Sequence, residues 1–127
     1  MKYYINKTIN TDLETATEII KVELQKEGFG IVTQFDVNKA LKEKLDVEFC
    51  SYRILGACNP AFALRSINTE DKIGTILPCN VMLQEVENGI EVAIINPKSM
   101  VADINNDEMK TIANEIYVKM QRVISSL

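Results

Sequence analysis

The Asn88-Gly89 dipeptide constrains the fold of this chain more than any other feature, because it separates two segments that both predict β-strands. Residues 81–87 precede it and residues 90–95 follow it. Asn-Gly adopts positive φ at small cost, which suits the two-residue turn of a β-hairpin. A hairpin requires an antiparallel strand pair, so we expect a mixed or largely antiparallel sheet rather than a doubly wound parallel one.

The chain before this hairpin alternates between strand and helix patterns. Thr11 and Glu14 have the spacing of a capping box, which predicts a helix that ends near Gly28. Period-two alternation predicts strands, and apolar residues three or four apart predict helices. The predicted elements are strands over residues 2–9, 29–35 and 49–57, with a short helix over 37–45 behind Asp36.

The second half of the chain completes the pattern. Asn59 is a favoured N-cap and Pro60 suits a first helical turn, so a helix is predicted over residues 60–68. A long apolar stripe from Asp107 onward predicts a packed final helix. The order is β-α-β-α-β-α-β-β-α without repeats or linkers, which indicates one α+β domain over residues 1–127, a two-layer α/β sandwich.

Composition excludes several classes of function. The chain has no histidine, which removes the Ser-His and Cys-His dyads and every His-ligated metal site. Fourteen basic and eighteen acidic residues give a net charge of −4, which argues against binding to nucleic acid or an anionic membrane. With no apolar run of the ~20 residues that cross a bilayer and no signal-peptide pattern, we expect a cytoplasmic protein.

Two cysteines occur in near-mirror settings, Cys58-Asn59-Pro60 and Pro78-Cys79-Asn80. A thiol just before a helix start can be stabilised as a thiolate by the backbone N–H groups and the helix dipole. Both cysteines can equally be small packing residues, and both asparagines can be a helix cap and a turn residue. Their separation is not a zinc-site spacing, and no metal ligands are predicted.

The sequence leaves open whether the two cysteines meet. A nine-residue helix after Cys58 would span ~14 Å, while residues 70–78 can extend to ~30 Å and bring Cys79 back beside it. If the two strands were instead parallel neighbours, the cysteines would lie at opposite edges of the sheet. Arg53, in the third predicted strand, is a further candidate for binding an anionic ligand, since guanidinium groups clamp carboxylates and phosphates.

Several motifs together resemble domain-of-unknown-function family 302. They are Tyr52-Arg53-Ile54-Leu55-Gly56-Ala57-Cys58-Asn59-Pro60, Ile73-Gly74-Thr75-Ile76-Leu77-Pro78-Cys79-Asn80-Val81, Gly28-Phe29-Gly30-Ile31-Val32-Thr33 and Asn96-Pro97-Lys98-Ser99-Met100. The resemblance implies a compact two-layer α/β fold, commonly homodimeric, and no established biochemical role. One departure is Asn96-Pro97, where the family is associated with Asp-Pro.

Three functional hypotheses follow. The first is a homodimeric domain that binds a small molecule or a metal-containing group near Cys58, Asn59, Cys79 and Asn80, with Arg53 as a further contact. The second is a thiol-dependent redox enzyme or sulfur carrier in which Cys58 reacts and Cys79 resolves it. The third is a structural or interaction module with inert cysteines. No cofactor is specified by the sequence.

Overall fold

A computed structural model describes residues 2–127 of the protein. Its strands are β1 (Tyr4–Ile9), β2 (Gly30–Asp36), β3 (Tyr52–Cys58), β4 (Cys79–Val86) and β5 (Gly89–Ile95). Its helices are α1 (Leu13–Lys26), α2 (Val37–Leu45), α3 (Pro60–Thr69), α4 (Pro97–Met100) and α5 (Asp107–Ser125), with a 3₁₀ helix at Asp71–Ile76. The short α4 and the 3₁₀ helix add to the predicted order without changing it.

The strands form one five-stranded sheet in the order β1-β5-β4-β3-β2, and all four neighbouring pairs are antiparallel. The predicted α+β class is confirmed. The predicted hairpin supplies β4 and β5, which are both interior strands of the sheet. Because β3 and β4 are antiparallel neighbours, the last residue of β3 lies beside the first residue of β4.

One face of the sheet forms the hydrophobic core together with the helices. Val81, Leu83, Val92 and Ile94 on the two central strands are completely buried. They pack with buried side chains of α1 and α5, among them Ile20, Leu24, Ile112 and Met120. We call this the covered face, and it holds the layers together through burial of apolar surface.

The alternate residues of the same strands remain half-buried or exposed. We call this side the open face and define it by Tyr4, Ile54, Asn80, Met82, Glu91, Ala93 and Ile95. An antiparallel sheet tolerates such a face, because its strands do not need helices on both sides. The period-two alternation of each strand therefore divides its residues between core and surface.

Two predicted boundaries are wrong. The third strand begins at Tyr52 rather than at residue 49, so Cys50 lies in the segment between α2 and β3. The N-cap of α1 is Asp12 rather than Thr11, since the Asp12 carboxylate accepts a hydrogen bond from the Thr15 N–H at 2.8 Å. Both residues are short polar N-cap types, and Asp12 has its bonding partner three residues ahead.

The hairpin turn is also displaced by one residue. Val86 pairs with Gly89, so the turn residues are Glu87 and Asn88, and Gly89 opens β5 with φ of 138°. Glycine is required there for a tertiary reason, because a Cβ would lie 2.1 Å from the carbonyl oxygen of Ile9. The dipeptide marks the hairpin correctly, but its glycine accommodates the end of β1.

The segment around β2 and α2 packs least tightly. No residue of α2 is buried, and β2 is an edge strand with a register shift between Ile31 and Thr33. Large apolar side chains are exposed here at Val32, Phe35, Leu45, Val47 and Phe49. Across residues 2–127, none of the helices has the length and apolar character needed to span a membrane.

Candidate functional site

Cys58 and Cys79 lie side by side at one end of two neighbouring strands, where β3 ends and β4 begins. Ala57 pairs directly with Cys79, so Cys58 is the next residue along β3. Both cysteines line one narrow cavity of about 20 Å³ whose other walls include Phe29, Phe62 and Ile116. The structure therefore answers the question left open by the sequence: the two cysteines share a cavity.

The two thiols have different environments within that cavity. Cys79 is buried, with 4% of its surface exposed, whereas Cys58 is half-buried. Burial raises the pKa of the Cys79 thiol to about 11, and the neighbouring Cys58 adds to the shift. Cys79 is therefore protonated near neutral pH and is a poor nucleophile there.

Asn59 holds two helix ends together. Its side-chain oxygen accepts from the N–H groups of Ala61 and Phe62 at 3.2 and 3.4 Å, as predicted for the N-cap of α3. Its amide nitrogen donates to the carbonyl oxygen of Glu27, just after α1, at 3.4 Å. These contacts occupy both ends of the amide, which explains Asn59 without a ligand.

Asn80 is on the other side of the sheet from Cys79. The strand β4 begins at Cys79, so the two adjacent residues project to opposite faces. Cys79 is buried in the core, while Asn80 is exposed on the open face beside Gly56 and Ile95. The four cysteine and asparagine residues proposed as one site therefore belong to two separate surroundings.

Arg53 is a buried structural residue in this arrangement. Its guanidinium donates to both carboxylate oxygens of Asp36 at 2.7 and 3.2 Å and to the Thr17 hydroxyl at 3.0 Å. A further ion pair joins it to Glu14 at 2.9 Å. The hydrogen bonds from Arg53 lower the pKa of Asp36 despite the burial of that carboxyl. These partners tie β3 to α1 and to the end of β2.

The open face contains a depression of about 290 Å³. Its floor includes Met82 on β4 and Ala93 on β5, which pair with each other. Tyr4 and Tyr52 contribute from the flanking strands β1 and β3. Polar atoms come from the tyrosine hydroxyls, Asn80 and Glu91.

A second depression of about 330 Å³ adjoins the first. Asn80 and Ile95 line both, and the second continues past Pro78 and Thr75 to Met100. Asn80 thus stands where two surface depressions meet. We call the two depressions together the open-face groove. Of the predicted site residues, Asn80 is the one that lines it.

The sequence predictions missed the remaining groove residues. Tyr4, Met82, Glu91 and Ala93 carry no motif, and Tyr52 belongs to a family motif but is not among the predicted site residues. The available signal was the alternation along each strand. When the buried residues of β4 and β5 are set aside, the remaining residues include Asn80 and Met82 on β4 and Glu91, Ala93 and Ile95 on β5. Among residues 2–127, no three Cys, Asp or Glu side chains are grouped so as to hold a metal ion.

Comparison with known proteins identifies the family. The family model of DUF302, a domain of unknown function, matches residues 5–127. The chain belongs to the DUF302 family. This DUF302 chain is similar to the crystal structure of an uncharacterized conserved DUF302 protein from Bacillus stearothermophilus, with 26% identity, 98% of each chain covered and a TM-score of 0.91. No curated protein matches it.

The departure at Asn96 has a structural explanation in this DUF302 chain. Asn96 is buried, and its side chain accepts from the Lys98 N–H at 3.0 Å while donating to the Lys2 carbonyl oxygen at 3.0 Å. An ionised carboxylate can accept the first bond but cannot donate the second. The amide therefore joins the start of α4 to the segment before β1.

Proposed function

We propose that this DUF302 protein is a cytoplasmic, homodimeric domain that binds a small organic ligand on the open face of its sheet, around Asn80. The observation that carries the proposal is the pair of adjoining depressions that share Asn80 and Ile95. Their volumes, about 290 and 330 Å³, lie near the lower end of the ~300–1,000 Å³ typical of ligand sites.

The cysteine cavity supports an organic ligand less well. Its volume of about 20 Å³ is close to the space that one water molecule needs. Asn59 beside it is committed to capping α3, and Cys79 is buried in the core. The open-face groove has instead an apolar floor with a few polar groups at its margins, the composition of most small-molecule sites.

Ligand binding at the groove is tested by amide chemical-shift mapping with a library of aromatic and amine fragments. We expect the perturbed amides to cluster at Asn80, Met82, Ala93 and Ile95. Ala93→Leu fills the depression and should abolish these shifts. Ala61→Leu, which adds the same side chain at an exposed position of α3, is the matched control and should leave them unchanged. Perturbations confined to the cysteine cavity, or none at all, would contradict the proposal.

The homodimer is supported by the exposed apolar side chains around β2 and α2, since such surfaces often mark interfaces. Light scattering of the purified protein should give twice the chain mass. Phe49→Asp, at a side chain that is 50% exposed, should produce monomers. Leu64→Asp, at a residue of α3 that is 63% exposed, is the control and should leave the dimer intact. A monomeric wild-type protein would overturn this part of the proposal.

A second candidate function, thiol redox chemistry, is favoured by the cavity that Cys58 and Cys79 share. In this scheme a peroxide oxidises the half-buried Cys58 thiol to a sulfenic acid and is itself reduced to water or an alcohol. Cys79 then attacks its sulfur, which forms the disulfide and releases water. The raised pKa of Cys79 makes this second step slow at neutral pH.

Mass spectrometry after peroxide treatment separates the two candidates. A disulfide lowers the mass by about two daltons through the loss of two hydrogens. The redox scheme requires this mass loss in the wild type and no such loss in Cys58→Ser or Cys79→Ser. In Cys79→Ser it also requires a stable sulfenic acid on Cys58. Slow, independent oxidation of the two thiols would leave ligand binding as the supported function.

A further inference from the structure

We propose that the ligand of the open-face groove is an organic cation, an aromatic or aliphatic ammonium, recognised by tyrosine rings and by the Glu91 carboxylate. This inference rests on the proposed function and adds the chemical class of the ligand. It is argued from the groups that surround the first depression.

Aromatic rings form much of the wall of that depression. Tyr3, Tyr4 and Tyr52 all line it, and the first two pack edge to face with centroids 4.9 Å apart. The faces of such rings carry negative charge density and attract ammonium groups. The protein already shows this attraction, because the Lys2 ammonium lies 4.8 Å from the centroid of the Tyr4 ring.

Glu91 adds a formal negative charge to the same depression. It lies on β5 opposite Thr8 on one side and Gln84 on the other, so its nearest strand neighbours are uncharged. The Asn6 amide donates to Glu91 Oε2 at 2.8 Å and orients the carboxylate. A carboxylate has about four lone-pair positions, so this bond leaves it able to accept from a ligand ammonium.

The apolar floor of the depression favours a ligand whose body, apart from its ammonium group, is apolar. Met82, Ala93 and Ile95 lie between the tyrosines and offer no charge. A molecule with a flat or aliphatic body and one ammonium group would bury its body against them and place its charge between Tyr52 and Glu91, which lie opposite Gln84 on its two neighbouring strands. In the described part of the chain, the lining of the depression contains no lysine or arginine, and the Lys2 ammonium next to it is already held over the Tyr4 ring.

The test compares 2-phenylethylammonium with its uncharged analogue 2-phenylethanol, by amide chemical-shift titration of the full chain at pH 7. We expect the cation to bind at least tenfold more tightly, with shifts at Met82, Ala93 and Glu91. Glu91→Gln keeps an oxygen for Asn6 but removes the charge, and should reduce the preference for the cation to below threefold. Glu85→Gln, the same change on the opposite face of the hairpin, should preserve it.

Tyr52→Leu tests the aromatic contribution separately and should weaken the binding of the cation more than that of the alcohol. Equal affinity for cation and alcohol, unchanged by Glu91→Gln, would overturn the ligand class while leaving the groove as a binding site. Absence of shifts at the groove with either probe and with the fragment library would overturn both proposals.

Discussion

The covered and open faces of the sheet are made from the same strands, yet they have opposite physical roles. On β4, Val81 and Leu83 are completely buried, while Asn80 and Met82, which alternate with them, face the groove. Val81 and Leu83 must be apolar and of suitable size, because they bury apolar surface and pack closely in the core. The second pair contributes little to the core, so its side chains are available for binding. A candidate site in this fold is therefore found by removing the core residues from each strand.

The largest expected change in stability concerns Arg53, a charged side chain that is buried on the covered face. Arg53→Met should lower the free energy of unfolding by about 4 kcal/mol, because the half-buried Asp36 carboxylate would lose its bidentate partner and retain the exposed Lys39 ammonium at 3.3 Å. Urea denaturation measures this change. Arg65→Met is the matched control, since Arg65 forms an exposed pair with Glu115 at 2.8 Å and should cost less than about 1 kcal/mol. Equal losses would mean that burial does not distinguish the two arginines.

Adjacent residues of β4 give the sharpest test of the two faces. Leu83→Ala should destabilise the protein by about 3 kcal/mol through lost burial and a residual cavity. Met82→Ala, one position away on the open face, should cost less than about 1 kcal/mol. Both are measured by urea denaturation with the m-value compared. Similar losses for the two variants would show that a partner chain or another layer covers the open face.

Cys79 predicts a pH dependence that belongs to the covered face alone. Its pKa in the folded protein is about 11, against an ordinary value of 9.0, so unfolding releases a proton between these values. The stabilising contribution is complete below about pH 9 and is lost as the pH rises to about 11, by about 2 kcal/mol.

Denaturation between pH 8 and pH 11 measures this contribution. In Cys79→Ala the decline in stability with rising pH should be correspondingly shallower. Cys58→Ser retains the buried thiol and should keep most of the wild-type slope, because burial is the larger cause of the raised pKa and Cys58 the smaller one. The same slope in the wild type and in Cys79→Ala would refute the assignment.

The smallest loss of stability in this series is expected for a substitution at Asn59, which belongs to neither face of the sheet. Asn59→Ala removes the N-cap of α3 and should cost about 1 kcal/mol. Asn80→Ala makes the same substitution on the open face and should change stability by less than about 0.5 kcal/mol. Thermal unfolding of both variants provides the comparison. A larger loss for Asn80→Ala would indicate that this residue is structural as well.

Much of the fold was predictable because local signals agreed with the tertiary structure. Asn59-Pro60 starts α3 as expected, Gly28 follows the end of α1 with φ of 86°, and the apolar stripe of α5 is buried. The errors occur where tertiary contacts determine the backbone. Gly89 is fixed by the carbonyl of Ile9, a residue 80 positions earlier in the chain, and no local pattern contains that contact.

The candidate site was less predictable, for a reason visible at Cys79 and Asn80. Both were expected just before a strand that starts at Val81, where neighbouring side chains can converge. The strand starts two residues earlier, and its alternation separates them. The groove residues Tyr4, Tyr52 and Glu91 come from three strands, so their proximity depends on the strand order β1-β5-β4-β3. Sequence spacing alone does not specify that order.

The pairing of β1 with β5 has a kinetic consequence. Tyr4 pairs with Ile95 and Ile9 with Ile90, so every contact in this ladder closes a loop of more than eighty residues. Contacts of such high sequence separation cost loop-closure entropy before they contribute stability, and they slow folding. The hairpin of β4 and β5 can form locally, but β1 can join it only after the intervening chain has been ordered or looped out. The groove wall formed by Tyr4 is therefore completed only when this long-range pairing is made.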